Sequence, residues 1–526
     1  MKLNLYKTKK LVLLGGVLAT ALSCTKDFEE VNTNPNYPGS ASPEYLIPGI
    51  MREVGYYWGG EAWEEGFTTV QYAARLQFTD QDRYIWNPAS NPYNFTYDNM
   101  RDVMNVINVS RDNENMQGYY GVGLVLKSFI YSYATDAYGD IPYANAIMGL
   151  RDNNITPDFS YQSEIYEGLL NDLALANEVL ANATNISGDI IYGGNVGMWR
   201  KFANSLRLRL LMRISDVDQA RAQQEMQQIV SNPSQYPVFG GNEDMAVIQW
   251  NTDNPQPKYT TRSGSFDEVR LSQTLETRLK AFNDTRLKVF AQPTSASGAG
   301  IYSDNWDDYV GMPNGLDDEA ALSYSPSGNP EESGSNYISR MGILLACRAC
   351  NTELASATAS QTILMSYSEL AFILAEAKER GLISSGDTAQ NYYENGIVAS
   401  FEYYTERVAE WTDIANAMAN TDLEAYLDQA GVLYTGSTQE KLELIALQKW
   451  IGLFYTGFEG WSDWRRTGMP EVVPGPGAAN SGKVPVRFMY PNDVKSTNNA
   501  NYQEAVNHMG GDDINIRLWW DVADNN

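Results

Sequence analysis

Apolar residues recur three and four positions apart over several long stretches of the chain, whereas sustained alternation of apolar and polar positions is scarce, so the body is expected to be mainly α-helical. Two segments carry their own start and stop signals. Ser366 with Glu369 makes a capping box, Tyr367, Leu370, Ala371, Leu374, Ala375 and Lys378 share a face, and Gly381 follows as a stop. Ser437 with Glu440 opens the second, Leu442, Ile445, Ala446, Lys449 and Leu453 line one side, and Gly457 ends it. The same spacing predicts helices near 62–79, 95–110, 117–135, 161–181, 197–215, 272–282, 388–408 and 421–429. Helices of this length joined by short turns point to a scaffold of tetratricopeptide-like hairpins, although no strict repeat of about 34 residues is visible.

Between these helices the texture changes. Helical blocks of about 44–230 and 346–468 alternate with stretches of Pro, Gly, Ser, Asn and Asp at about 231–345 and 469–526, which predict a large loop-rich face. Loops held on a rigid scaffold are the usual place for binding residues.

The first residues are an address. Lys2, Lys7, Lys9 and Lys10 lead into an apolar run from Leu11 to Ala21, too short for the ~20 residues that cross a bilayer as a helix, so residues 1–23 are expected to be a secretory signal. Ala21, Leu22 and Ser23 before Cys24 resemble a bacterial lipobox, which makes Cys24 the expected lipidated N-terminus. An ordinary cleaved signal beside a bystander cysteine is the competing reading. Residues 24–43, acidic and then rich in Asn, Pro, Gly and Ser, have the composition of a tether. The acids just behind the cysteine also resemble the export signal of surface-displayed lipoproteins of the Bacteroides group.

Charge and histidine content narrow the chemistry. The formal charge of −27 repels phosphate, so nucleic acid is not an expected partner. A single histidine, His508, removes most imidazole-based triads and multi-histidine metal centres. Cys347 and Cys350 form a CxxC without a second pair or a nearby histidine, which leaves a local disulfide or two thiols as the expectation. No cofactor and no metal site is expected. Glu61, Glu64 and Glu65, or Asp307 and Asp308, are close enough in sequence to keep a carboxylate-dependent glycosidase as a distant alternative.

The chain has 16 Phe, 12 Trp and 34 Tyr, and several sit among amides and charges. A sugar ring lays its C–H face on Trp or Tyr while Asn, Asp, Gln and Arg satisfy its hydroxyls, so rings and polar groups must lie together. They do so at 56–60, at 75–87 and at 302–309. Trp86, Trp306 and Tyr309, with Arg75, Asp80 and Asn87 as neighbours, are the candidate ligand contacts. No catalytic residue is expected.

Runs spread along the whole chain resemble the SusD/RagB family of outer-membrane nutrient-binding lipoproteins. They are NTNPN (32–36), DAYGDIPY (136–143), WRKFANSLRLRL (199–210), YVGMPNGL (309–316), ELAFILAEA (369–377), YYENGI (392–397), QKWIGLF (448–454), EGWSDWRRTG (459–468), PVRFMYP (485–491) and WWD (519–521). The resemblance implies one SusD-like domain over 44–526, held at the cell surface on the outer membrane by its lipid. It implies a binder without turnover that delivers oligosaccharides, or in some members peptides, to a SusC-like TonB-dependent transporter. The shared runs place Trp461, Trp464, Arg465 and Arg466 in the scaffold, and Asp136, Tyr138 and Asp140 in a turn after a helix.

Overall fold

Ile47, Ile50, Met51, Val54 and Trp58 fall three or four residues apart and are all buried, and the helix they line, α1 (Pro43–Glu61), opens the described part of the chain. The structure is a computed structural model that describes residues 41–61, 63–147, 154–324 and 337–522. The expected signal, Cys24 and the tether up to residue 40 lie outside the described residues. Pro43–Asn526 forms one unit by its internal contacts.

After α1 come α2 (Asn91–Ser110), with Pro92 in its first turn, α3 (Gln117–Tyr138), α4 (Gln162–Leu180), α5 (Val196–Arg213) and α6 (Gln219–Ser231). Each of α2 to α6 packs on its predecessor, as in a stack of helical hairpins. The second block holds α7 (Tyr367–Glu379), α8 (Ala389–Arg407), α9 (Thr438–Gly452) and α10 (Glu459–Thr467), with α8 and α9 both against α7. The mainly helical, tetratricopeptide-like expectation holds.

Of the two expected capping boxes, the one at Ser437 forms in full, whereas Ser366 makes only the N-cap half because Arg209 takes the Glu369 carboxylate. Ser366 Oγ accepts from the Glu369 amide, and Ser437 Oγ accepts from the Glu440 amide while Glu440 reaches back to the Ser437 N–H. Gly381, at φ +72°, ends the turn after α7. Other boundaries differ. Helix α9 stops at Gly452, and Gly457 lies in the turn before α10. Of the helix expected at 62–79 only Glu65–Thr69 is helical, because Ala73–Arg75 is drawn into a strand.

Six short strands are described: β1 (Ala73–Arg75), β2 (Ile141–Pro142), β3 (Phe159–Ser160), β4 (Ala246–Gln249), β5 (Val269–Leu271) and β6 (Gln361–Met365). They pair antiparallel as β1–β5, β2–β3 and β4–β6. Helix α1 lies on β4–β6 so closely that a Cβ on Gly55 would stand 2.3 Å from Ile248 Cδ1. The β1–β5 pair matters more for function, since it pins residues 73–75 to the loop-rich insert that follows α6.

Charges inside the scaffold are paired, as burial requires. Arg213 of α5 pairs with Asp136 of α3 and Glu459 of α10. Arg209 donates to both oxygens of Glu369, at 2.5 and 2.6 Å, and Arg466 holds both oxygens of Glu376 at 2.6 Å. Asp136 also accepts from the Tyr166 hydroxyl and from the Trp520 indole at 2.8 Å. Trp461, Trp464, Arg465, Arg466, Tyr138 and Asp140 are buried, in keeping with the scaffold reading, but Asp136 and Tyr138 belong to the last turn of α3 and only Asp140 lies in the turn after it. Cys347 and Cys350 are joined by a disulfide. Among the described residues no helix is long and apolar enough to cross a membrane.

Candidate functional site

Strand β1 ends at Arg75, and the loop that follows it is anchored from beneath by Asp82. This buried carboxylate accepts from the Arg75 amide (3.2 Å), the Asn314 side chain (2.9 Å) and the Gly315 amide (2.9 Å). Burial pushes its pKa up to about 6 despite those three donors. Farther along, Trp86 donates its indole N–H to the Gln81 carbonyl (2.9 Å), and its ring packs edge-on against Trp461 and tilted against Phe488. The loop is therefore a shaped wall seated on the scaffold.

That wall closes one side of a cavity of about 770 Å³, within the range of small-molecule sites. Arg75, Asp80, Trp86 and Asn87 all line it, together with the end of α1, the first turn of α2 and the insert residues Lys258 and Glu268. Arg75 is held from three directions: Glu64 at 3.1 Å, Glu268 at 3.8 Å and the Gln81 side chain. Trp86 is half-buried, whereas Asp80 and Asn87 are exposed. Four of the six candidate ligand contacts thus share one concave surface.

The other two lie elsewhere. Trp306 is half-buried outside this cavity, with the Lys288 ammonium 5.0 Å from its ring centre and 5.1 Å from that of Tyr302. Tyr309 is a correction: it is 0 % exposed, and its hydroxyl is turned back onto Ser303, accepting from that residue's amide (3.1 Å) and donating to its carbonyl. A ring closed into its own loop has no face for a ligand. The spacing in 302–309 put Tyr309 beside Trp306 without revealing which of the two faces inward.

Several lining residues were not singled out as ligand contacts. Phe78 is 71 % exposed at the rim, on a backbone with φ +56°, a left-handed conformation that a side chain of this size seldom adopts. Lys258 lies 5.3 Å from the Trp63 ring centre and 3.7 Å from Glu64, and burial lowers its pKa. Glu61, at the end of α1, is 7 % exposed and its Oε2 has no hydrogen-bond partner. Burial, then Glu65 and Glu64 beside it, push the Glu61 carboxyl up to about 8, so it is a neutral donor at pH 7. The sequence signal for this end of the cavity was the Glu61, Glu64, Glu65 cluster, read above only as possible catalytic acids.

Chemically, the cavity offers an indole and a phenyl ring for stacking, a guanidinium and an amide for hydroxyls, and a rim with more carboxyl groups than cations. No group of His, Cys, Asp and Glu among the described residues is arranged to hold a metal ion.

Residues 35–491 match the SusD-like family pattern described as starch-binding and associating with the outer membrane. Solved structures of similar fold include a SusD homologue from Bacteroides fragilis, 27% identical, covering 92% of this chain and 99% of its own, with a TM-score of 0.75. A chitin-binding protein is 26% identical over 92% of this chain and all of its own, also with a TM-score of 0.75. A chitin-binding SusD homologue from Flavobacterium johnsoniae, at 23% identity and a TM-score of 0.73, covers 91% of this chain and 100% of its own and shares the fold. No curated protein matches the chain.

Proposed function

As this chain belongs to the SusD-like family, we propose that it captures oligosaccharides at the cell surface and hands them to a SusC-like TonB-dependent transporter in the outer membrane. The observation that carries the ligand reading is the single cavity that gathers Arg75, Phe78, Trp86 and Asn87. The family's starch-binding description and the chitin-binding relative point to the same class, a neutral glycan. Even with Glu61 neutral, Glu64, Glu65, Asp80 and Glu268 on the lining outnumber Arg75 and Lys258, so uronate or sulfated chains meet repulsion. Capture needs no bond cleavage, and affinity comes from stacking and shape.

A glycan array probed with the lipid-free chain from Thr25 onward tests this. Neutral glucose or N-acetylglucosamine oligomers are expected to bind and uronate oligomers to be rejected. An array with no glycan retained, or native mass spectra of purified material carrying peptides instead, would overturn it. One feature favours a second reading: Glu61 has the raised pKa of a general acid. Hydrolysis of a bound oligomer that Glu61→Gln abolishes would establish carboxylate-dependent cleavage in place of capture.

The proposed anchor is Cys24. Replacing it with Ser should move the protein from the membrane fraction to the soluble fraction, since acyl chains hold at about 0.8 kcal/mol per buried methylene. Membrane retention of the variant would remove the lipid from the account.

A further inference from the structure

A second cavity, of about 560 Å³, opens between α1 and α2. It meets the main cavity at Asn91, which lines both. The two are also successive along the same elements. On α1 the second cavity takes Tyr56 and Tyr57 and the main one takes Glu61, one helical turn on, and on α2 Asn91 is followed one turn later by Asn94. Helices α1 and α2 are clamped here by Tyr57 lying flat on Phe95, with ring centres 4.2 Å apart and planes 7° apart. The walls of the cleft are therefore set before any ligand arrives.

Its lining repeats the chemistry of the main cavity. Tyr56 is 48 % exposed, and Asn91 and Asn94 are exposed with no side-chain hydrogen bond to another described residue. Ring and amides stand together again, at the 56–60 run that the main cavity leaves unused apart from its neighbour Glu61. Glu53, Asp98 and Asp102 against Arg101 give the same excess of carboxylate. We propose that this cleft is a second subsite, which takes the continuation of a neutral oligosaccharide whose first residues occupy the main cavity. The proposal rests on the glycan reading above and adds that the protein selects extended chains over short ones.

The test uses the lipidated chain in detergent and two probe series, maltooligosaccharides and chitooligosaccharides of three and six residues, measured by calorimetry. In at least one series the six-residue chain is expected to bind about tenfold tighter than the three-residue one, the size of one added stacking contact. Tyr56→Ala and Asn94→Ala should each erase most of that difference, costing the long chain more than the short, while Phe78→Ala weakens both lengths alike. Melting temperatures check that each variant is folded. Equal affinity for the two lengths in the native chain, or equal losses for both in Tyr56→Ala and Asn94→Ala, would overturn the second subsite and leave the main cavity standing. No binding of any length in either series would overturn the glycan reading and this proposal with it.

Discussion

Phe78 and Glu61 are both held in states that the free chain would not choose, and both face the main cavity. At φ +56° the backbone of Phe78 costs on the order of 1 kcal/mol for any residue with a Cβ. Phe78→Gly relieves that strain while adding freedom to the unfolded chain, and the two effects roughly cancel. The variant should melt within a few degrees of the native protein yet bind glycan about tenfold more weakly. Full affinity in the variant would mean the ring is not a contact. Glu61 makes a different prediction. Its folded pKa of about 8 lies above the ordinary 4.5, so the folded state holds the proton more tightly and stability falls as pH rises through that interval. Glu61→Gln should flatten the fall in melting temperature between pH 4.5 and pH 8 and melt higher at the alkaline end. A profile unchanged by the substitution would show that Glu61 is already ionised when folded.

Elements place these residues, and here the close approaches are the sensitive points. Gly457 sits at φ +57°, and a Cβ on it would stand 2.3 Å from Cε2 of Trp58, the ring that roots α1 in the core. Gly457→Ala should cost about 1–3 kcal/mol in denaturant unfolding and, by tilting α1, weaken ligand binding as well. Unchanged stability would show that Trp58 can move aside freely. The same closeness explains what the sequence hid. The helices at 367–379 and 438–452 were legible because Ser366 and Ser437 announce them. Helix α1 has an equally regular apolar stripe but is not among the expected helices, since Pro48 and three glycines in its last turns weaken the helical signal, although Gly55 is there to let Ile248 approach. The site was half legible for a related reason. Arg75, Asp80, Trp86 and Asn87 are near in sequence and stay together on one loop, whereas Glu268 reaches the cavity through the β1–β5 pairing and Lys258 from the same distant insert, which no local pattern records. Tyr309 failed because inward and outward rings have the same composition.

At the scale of the whole molecule, the two helical blocks are joined by charge. Arg213 bridges α3 and α10 through Asp136 and Glu459, so Arg213→Met removes the cation that two buried carboxyl groups share and leaves Glu459 only the more distant Arg209, at 3.8 Å. Removing one partner of such a cluster costs about 3–5 kcal/mol, which equilibrium unfolding in denaturant should read directly. A loss under about 1 kcal/mol, the size of an exposed ion pair, would mean that water reaches the cluster.

Asp136 has a further partner, the indole of Trp520, nearly four hundred residues away in the chain. Until that tryptophan has emerged, the carboxylate at the centre of the first block lacks one of its donors, and the buried cluster around Arg213 stays incomplete. A polypeptide built this way closes that cluster only after both helical blocks and Trp520 are present. For a chain whose first residues read as a secretory signal, such lateness keeps it threadable.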